Sequence, residues 1–542
     1  MASWPGGILC KTQSSADFAA MRLSSLISTA IAAHAALAAA TDTNTTSSSS
    51  DALPPLPTRP PELTKPTHFA VIDGPAVTFE FSTPQPHPKN WIGIWHDYYG
   101  GPENNTWIQD QLTWAWAEGT HGSAQVDISD LPPGRYLAYF LGERSYKWLA
   151  QPVEVFISRA DSMRFIPDDF TTHNGRVGDS FSADISGLLT NVKNGNITYA
   201  VIPPSNADWV SISSKGVIGG VPKHSGLSKF SIRATSADNN TAVLPVAVPV
   251  ARRHKPLVRS IRVLTLNLWL GGRNVIDYHN KQVSFLASQD VDVVALQESY
   301  FHDGLRLAKA LGWNAWQSKD VSILSRYPIG RVYREIEAGG TVRIDLDGSD
   351  RQLLVWNVHL NNAPYGPYDL CFTNYSTNYI QRREEWARRV QQVYEIVHRL
   401  KEYKVRKPEF QELPQILAGD FSSPSHLDYN KKTRDLHCKG REDPFPWPVS
   451  RRTVLDGKWT DSFREVYRNA WKVPGNTWSP IRKVNGDRPE PMDRIDFIYH
   501  KKLKTLHSDV VVVGDPKPEP YHADNEWTSD HAAVLSEFKL PK

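Results

Sequence analysis

Leu353-Leu354-Val355-Trp356-Asn357-Val358 is an apolar run broken by a single asparagine, and it ends on His359. A run of this length without strict alternation suits a strand buried on both faces, as in an α/β layer. The same plan recurs on either side of it. Arg262-Val263-Leu264-Thr265-Leu266 leads to Asn267, Val291-Asp292-Val293-Val294-Ala295-Leu296-Gln297 to Glu298, and Ile416-Leu417-Ala418-Gly419 to Asp420. Asp496 lies within Arg494-Ile495-Asp496-Phe497-Ile498-Tyr499, and Asp530-His531 precedes Ala532-Ala533-Val534-Leu535. Strand-like and helical patterns alternate from Leu257 onward, which predicts an α/β layered domain over residues 257–542. Its clearest helix is predicted from about Tyr379 to Leu400, with Trp386, Val390, Val393, Val397 and Leu400 on the apolar face. Arg382, Arg383, Arg388 and Arg389 fall on the opposite, solvated face. One polar residue at a strand end means little, because loops begin there. Several such ends, supplying carboxylates, two imidazoles and an amide, predict convergence at one sheet edge.

Seven motifs carry a family likeness in order. They are Thr265-Leu266-Asn267-Leu268-Trp269, Leu296-Gln297-Glu298-Ser299, Ile323-Leu324-Ser325-Arg326-Tyr327-Pro328-Ile329, Asn357-Val358-His359-Leu360, Ala418-Gly419-Asp420-Phe421, Arg494-Ile495-Asp496-Phe497 and Ser529-Asp530-His531. Each is weak alone. Together they resemble the endonuclease/exonuclease/phosphatase superfamily over about Leu257 to Lys542. The resemblance implies a four-layered α/β sandwich of two central β-sheets flanked by helices, which hydrolyses phosphoesters with a divalent metal.

Phosphodiesters are anionic and resist attack, so a site must neutralise charge, activate water and assist the leaving oxygen. By resemblance Glu298 is the principal ligand of Mg²⁺ (Mn²⁺ or Ca²⁺ as alternatives), with Asp530 a second or water-bridged ligand. His531 is the general base or a phosphate contact, oriented by Asp496. Asp420 positions or deprotonates the attacking water, His359 is a general acid or phosphate ligand, and Asn267 steadies the metal shell or Asp420. One departure stands out. The family usually reads Gly-Asp-x-Asn, whereas this chain has Gly419-Asp420-Phe421-Ser422. Ser422 or Asn361 would then take the substrate contact of the missing amide. The alternative to a working enzyme is a surface-binding or scaffold protein that keeps the fold without turnover.

The loops after His359 and Asp420, and Gly475-Asn476-Thr477-Trp478, should overhang the site. Tyr365, Tyr368 and Trp478 are candidates for stacking a base or a lipid headgroup, with ordinary loop packing as the alternative reading. Asn267-Leu268-Trp269 is as similar to neutral sphingomyelinases as to nucleases, while inositol polyphosphate 5-phosphatase motifs are absent. The substrate is thus expected to be a phosphodiester or phosphomonoester, of nucleic acid or a sphingomyelin-type lipid.

Ahead of this domain, residues 67–160 show short alternating runs such as Val77-Thr78-Phe79-Glu80-Phe81 and Trp91-Ile92-Gly93-Ile94-Trp95. They predict a β-sandwich whose tryptophans form either core or a platform for cell-surface or glycan contact. Residues 161–253 form a second β segment resembling immunoglobulin-like and cadherin-like repeats, and its default role is a spacer. Residues 41–66 read as a Ser/Thr/Pro-rich linker.

Met21 to Ala40 has the three-part layout of a secretory signal, within a leader at residues 1–40. Its apolar part falls short of the ~20 residues that span a bilayer, and no later stretch is apolar enough to do so. Secretion makes the sequons at Asn44, Asn104, Asn196, Asn239 and Asn374 candidate glycosylation sites. It also leaves Cys371 and Cys438 as the two thiols of the mature chain, expected to pair in an oxidising compartment.

The chain has 542 residues, with 61 Lys plus Arg against 58 Asp plus Glu. The net charge of +3 is too small to serve as an electrostatic signature of nucleic-acid binding. Hydrophobic content of 40% excludes a disordered or fibrous protein, and 3 cysteines exclude a disulfide scaffold or a cysteine-built zinc cluster.

Overall fold

The computed structural model describes residues 68–541, apart from 73–76, 97–100, 104, 109, 129–130, 132–133, 158–162, 193–195, 204–206, 301, 434–435 and 439–444. The leader, the Ser/Thr/Pro linker and the sequons at Asn44 and Asn104 lie outside the described residues.

Two six-stranded sheets form the centre of the C-terminal domain. The first is ordered β3-β4-β2-β1-β12-β11, from β1 (Ser260–Asn267), β2 (Val293–Gln297), β3 (Asn314–Gln317), β4 (Ser322–Ser325), β11 (Lys504–Val511) and β12 (Ala533–Lys539). The second is ordered β5-β6-β7-β8-β10-β9, from β5 (Ile329–Val332), β6 (Gly339–Ser349), β7 (Gln352–His359), β8 (Gln415–Asp420), β9 (Thr460–Asp461) and β10 (Asp496–Lys501). Period-two alternation decides which layer each side chain enters. Ile261, Val263, Val293 and Ala295 of the first sheet meet Leu353, Val355, Ile416, Ala418 and Ile498 of the second in one fully buried inner layer. Their neighbours face outward. Leu264 and Leu266 pack with Phe285 of α1 (Tyr278–Ser288) and Leu307 of α2 (Asp303–Leu311). Trp356, Leu417 and Tyr499 pack under a helix carrying Val390, Val393, Val397 and Leu400. Helix, sheet, sheet, helix is the four-layered sandwich expected.

The helical region departs from its expected form. It is two helices after α3 (Gly366–Phe372): α4 (Thr377–Trp386) and α5 (Arg389–Arg406), with Arg388 between them at φ 65°. That left-handed residue rotates the faces out of register. Trp386, expected in the core, is 62% exposed, and Arg389, expected on the surface, is fully buried against Glu384.

The N-terminal part is β-rich throughout. Strands His68–Ile72, Val77–Ser82 and His121–Val126 form one antiparallel sheet; Thr113–Trp116, Trp91–His96, Gly134–Gly142, Lys147–Trp148 and Val153–Ile157 form another. Phe79, Ile92, Ile94 and Phe140 share one core cluster. The tryptophans divide: Trp91, Trp95 and Trp148 are buried, whereas Trp107, Trp114 and Trp116 are exposed. The next segment pairs Thr241–Ala251 with Gly226–Ser236 and Gly226–Ser236 with Ile197–Ile202, beside a three-stranded sheet that includes Phe181–Asp184. It is more than a spacer. Phe181, Trp209 and Leu244 belong to the same continuous core as Leu264, Phe285 and Leu307, and Arg176 ion-pairs with Asp347 at 2.8 Å.

The first sandwich also touches the C-terminal domain. His96 stacks on Tyr136, and its ring lies 5.7 Å from that of Tyr278. Burial, then the positive charges of Arg273 and Arg306, lower its pKa from 6.5 to about 3. The unfolded chain takes up this proton near 6.5 while the folded chain refuses it until about 3, so stability declines as pH falls through that window. At about pH 5 the loss is about 2 kcal/mol from this group. His96→Gln is expected to remove that part of the acid slope, read as the urea midpoint at neutral and acidic pH. An identical acid loss in both proteins refutes the assignment.

Candidate functional site

Strand register brings the polar ends together. Parallel pairing of β1 with β2 sets Asn267 opposite Gln297, so Glu298 emerges one residue beyond Asn267. Parallel pairing of β7 with β8 sets His359 opposite Asp420, and antiparallel pairing of β8 with β10 sets Asp420 opposite Asp496. Asp530-His531 enters just before β12, where His531 bridges to Trp478.

Asn267 ties the two sheets at this edge. Its amide donates to Asp420 Oδ2 at 3.1 Å and to Glu298 Oε1 at 3.3 Å. The Leu270 N–H donates to Glu298 Oε2 at 2.6 Å, and the Ser529 hydroxyl donates to the Asn267 carbonyl at 2.6 Å. Glu298 (φ 49°) and Ser422 (φ 47°) both sit in the left-handed region, a conformation disfavoured by about 1–2 kcal/mol for residues with a side chain. Register and hydrogen bonding hold them there.

Two imidazoles flank Asp420, and each is backed by a carboxylate of its own. His531 Nδ1 lies 2.9 Å from Asp496 Oδ2, and its Nε2 lies 3.8 Å from Asp420 Oδ2. His359 Nδ1 lies 2.7 Å from Asp320 Oδ2, and its Nε2 lies 3.6 Å from the same Asp420 oxygen. Burial alone would lower both histidines. Asp496, Asp420 and Asp530 instead raise His531 to about 10, and Asp320, Asp420 and Glu298 raise His359 to about 9. Burial raises Asp496, with the Asp420 charge adding to it. Burial, then the Glu298 charge, raises Asp530 to about 6 against the pull of His531 and Arg482. Glu298 and Asp530 therefore feel one another across one site.

The donor set fits a small divalent cation. Asp420, Asp496 and His531 offer ligand atoms within 4.8 Å of one another, all buried. Asp496 Oδ1 is buried without a hydrogen-bond partner. Hard carboxylate oxygens of this kind suit Mg²⁺, Mn²⁺ or Ca²⁺. This tight group differs from the Glu298–Asp530 pair expected at the ion. Glu298 is engaged by Asn267 and Leu270, and Asp530 Oδ2 accepts from Arg482 Nε at 3.0 Å.

The residues expected on the rim divide as well. Ser422 turns inward: its N–H donates to Asp420 Oδ1 at 2.7 Å, and its buried hydroxyl donates to the Leu360 carbonyl at 3.1 Å with Asp420 Oδ1 at 3.2 Å. These contacts tie it to Asp420 and to the end of β7. Asn361 is exposed, with its side-chain oxygen accepting from Gln392 Nε2 at 3.0 Å. Tyr368 Oη and Trp478 Nε1 both donate to Glu490 Oε1, at 2.8 and 2.7 Å. The Tyr365 ring lies 4.9 Å from Tyr368, and the Trp478 ring 4.9 Å from His531. The expected disulfide between Cys371 and Cys438 is present, joining α3 to the loop after Asp420.

Asp320, Arg482 and the Glu384–Arg389 pair escaped the sequence reading. Asp320 precedes a strand, whereas the apolar runs point to residues at strand C-termini. Arg482 lies in an irregular loop, its guanidinium 5.6 and 5.9 Å from the rings of Trp269 and Trp478. Arg389 pairs with Glu384 and donates to the Asn361 carbonyl at 2.8 Å and the Pro364 carbonyl at 2.6 Å. Ser423 donates to Glu384 Oε2 at 2.9 Å. One buried ion pair thus fixes the loops after both His359 and Asp420.

The profile of the Endonuclease/Exonuclease/phosphatase family matches residues 264–531. The chain is 31% identical over 293 residues to the uncharacterized protein F14F9.5 of Caenorhabditis elegans, covering 51% of this chain and 91% of that one. Among solved structures, an endonuclease/exonuclease/phosphatase family protein of Bacteroides thetaiotaomicron is 16% identical with a TM-score of 0.34, covering 52% of this chain and 95% of the other. The mannosyl-6-phosphatase Bt3783 of the same species is 15% identical at 0.34, over 51% and 99%. The human Nocturnin catalytic domain is 14% identical at 0.34, over 52% and 96%. At that level of likeness no substrate carries over.

Glu384→Ala would strand the Arg389 charge in the interior. The expected cost is about 3–5 kcal/mol, read as a lower urea midpoint with an unchanged slope. A loss below about 1 kcal/mol would show that water reaches the pair.

Proposed function

The chain belongs to the endonuclease/exonuclease/phosphatase family, and on that premise we propose that it is a secreted, divalent-metal-dependent phosphodiesterase acting by attack of an activated water. One observation supports this above the others: a buried aspartate, Asp420, between two imidazoles that each have a second carboxylate behind them. In this arrangement Asp420 orients the attacking water and accepts its proton. His531, held by Asp496 and driven toward its protonated form, contacts the phosphoryl oxygens through Nε2. His359, held by Asp320, donates to the leaving oxygen through Nε2. Glu298, with Asp530 beside it, would hold the cation, and the tight Asp420–Asp496–His531 group borders the same space. When bound, the metal supplies Lewis-acid stabilisation of charge on the phosphoryl oxygens. Arg482, between two tryptophans, adds a fixed positive charge at the mouth, suited to a phosphate flanked by an apolar or stacking group.

The test uses the mature protein on a DNA oligonucleotide, sphingomyelin vesicles and a chromogenic phosphodiester, with Mg²⁺ or with chelator. His531→Ala is expected to lower kcat/KM by about a hundredfold or more, and chelation to abolish turnover. Turnover indifferent to both would defeat the reading. The rival, a binding protein of this fold without turnover, draws on Ser422. Asparagine tolerates the left-handed backbone at position 422 better than serine and supplies the amide that the family usually carries. Ser422→Asn is therefore expected to raise kcat about tenfold, measured under metal saturation. Binding of substrate with no turnover in either form favours the rival.

A further inference from the structure

An aromatic stripe runs along the outer face of α4. The Tyr375 and Tyr379 rings lie 4.7 Å apart, and those of Tyr379 and Trp386 lie 5.7 Å apart. Tyr375 is 40% exposed and Trp386 is 62% exposed. Tyr379 and Trp386, seven residues apart, share one side of the helix, and Tyr375 precedes its N-cap with its ring against Tyr379. Contiguous exposed aromatics are uncommon on a soluble surface unless something covers them. Here a candidate cover is written into the chain: exposed Asn374 opens the sequon Asn374-Tyr375-Ser376, immediately beside the first ring. Ser376 caps the helix, its Oγ accepting from the Tyr379 N–H, so the sequon and the stripe are locked into one geometry.

We infer that Asn374 carries an N-linked glycan whose sugar rings lie along Tyr375, Tyr379 and Trp386; this rests on the secretory reading above. In the transfer, the Asn374 amide nitrogen displaces the diphosphate of a lipid-linked oligosaccharide at its anomeric carbon. A C–N bond forms, the C–O bond to diphosphate breaks, and one amide proton leaves. Sugars suit this surface because their C–H faces pack on aromatic rings while their hydroxyls accept from cations. Arg383 supplies one, its guanidinium 5.9 Å from the Tyr375 ring centroid. Ten residues of α4 extend about 15 Å, a span that a branched glycan covers from one end. A purely apolar partner would have to desolvate Arg382 and Arg383 on the same helix. The same helix contributes Glu384, so the glycan braces the element that fixes both site loops through Arg389.

The experiment uses the full chain secreted from a eukaryotic cell line, with glycopeptide mass spectrometry and thermal unfolding. Asn374 is expected to be occupied. Asn374→Gln is expected to lower Tm by about 2–4 °C, and by less than about half as much in a Trp386→Ser background, because the glycan then has lost its main ring. Trp386 is largely exposed, so its replacement leaves the fold intact. Glycan at Asn196 or Asn239 with Asn374 bare overturns this inference and leaves secretion standing. A secreted chain with no sequon occupied overturns it too, whereas failure of the chain to leave the cell overturns the secretory reading. An occupied Asn374 with no shift, or with equal shifts in both backgrounds, shows that the glycan does not lie on the stripe.

Discussion

Glu298, Asp420, Asp496 and Asp530 are gathered at one buried edge, and like charges so placed repel. Everything near them answers that repulsion. Asn267 donates to two of the four, Arg482 to a third, and His531 pairs with the fourth. The imidazoles are driven toward their charged forms, with His531 at about 10 and His359 at about 9, and Asp530 is driven toward its neutral form at about 6. A site so charged suits a divalent ion for the reason that it holds protons. Such a surplus of negative charge is expensive to keep without a rigid frame.

The frame is the pair of packed sheets, and its lock is polar. In the inner layer Gln297 Nε2 donates to Asn357 Oδ1 at 2.7 Å, while Asn357 Nδ2 donates to the Leu296 and Ser322 carbonyls at 2.8 Å each. Both side chains are fully buried among aliphatic neighbours. An apolar pair of similar volume would pack there without specifying an alignment. The amides instead specify one registration of the first sheet on the second, one residue before Glu298 and two before His359. A slip of either sheet leaves several buried amide groups unpaired, each costing about 1–3 kcal/mol. Strand register thus sets the frame of the site, consistent with a constellation that must hold to fractions of an ångström.

Much of this was legible because period-two burial is a local property. Apolar runs ending on Asn267, Glu298, His359 and Asp420 announced four strands, two in each sheet, and the edge at which they stop. What could not be read depends on partners distant in sequence. Asp320 acquires its role only when β7 delivers His359 beside it. Arg389 follows an arginine-rich surface pattern, and its burial depends on Glu384 lying across a break at Arg388 that no glycine or proline marks. Ser422 looked like a poorer substrate contact than asparagine. Its positive φ, invisible in the sequence, turns its hydroxyl toward Leu360 and Asp420.

The same logic explains why the N-terminal β segments are joined so closely to the C-terminal layers. The first sheet has helices α1 and α2 over its outer face, and those helices would expose apolar surface if left alone. The second β segment completes that layer, with Gly187 so close to α2 that a Cβ would lie 2.6 Å from the Lys309 carbonyl. The first sandwich reaches the same wall from another side through His96 on Tyr278 and through Glu103, 3.8 Å from His302. That wall is connected to the site: Asp303 binds Arg273 at 2.9 Å, Arg273 also donates to the Leu270 carbonyl, and the Leu270 N–H holds Glu298. Burial of helix α2 under β structure therefore bears on where the Glu298 carboxylate points. The β segments act as a fifth layer whose packing is felt at the acidic edge, and a change in their docking reaches the Glu298 carboxylate through one arginine and one loop.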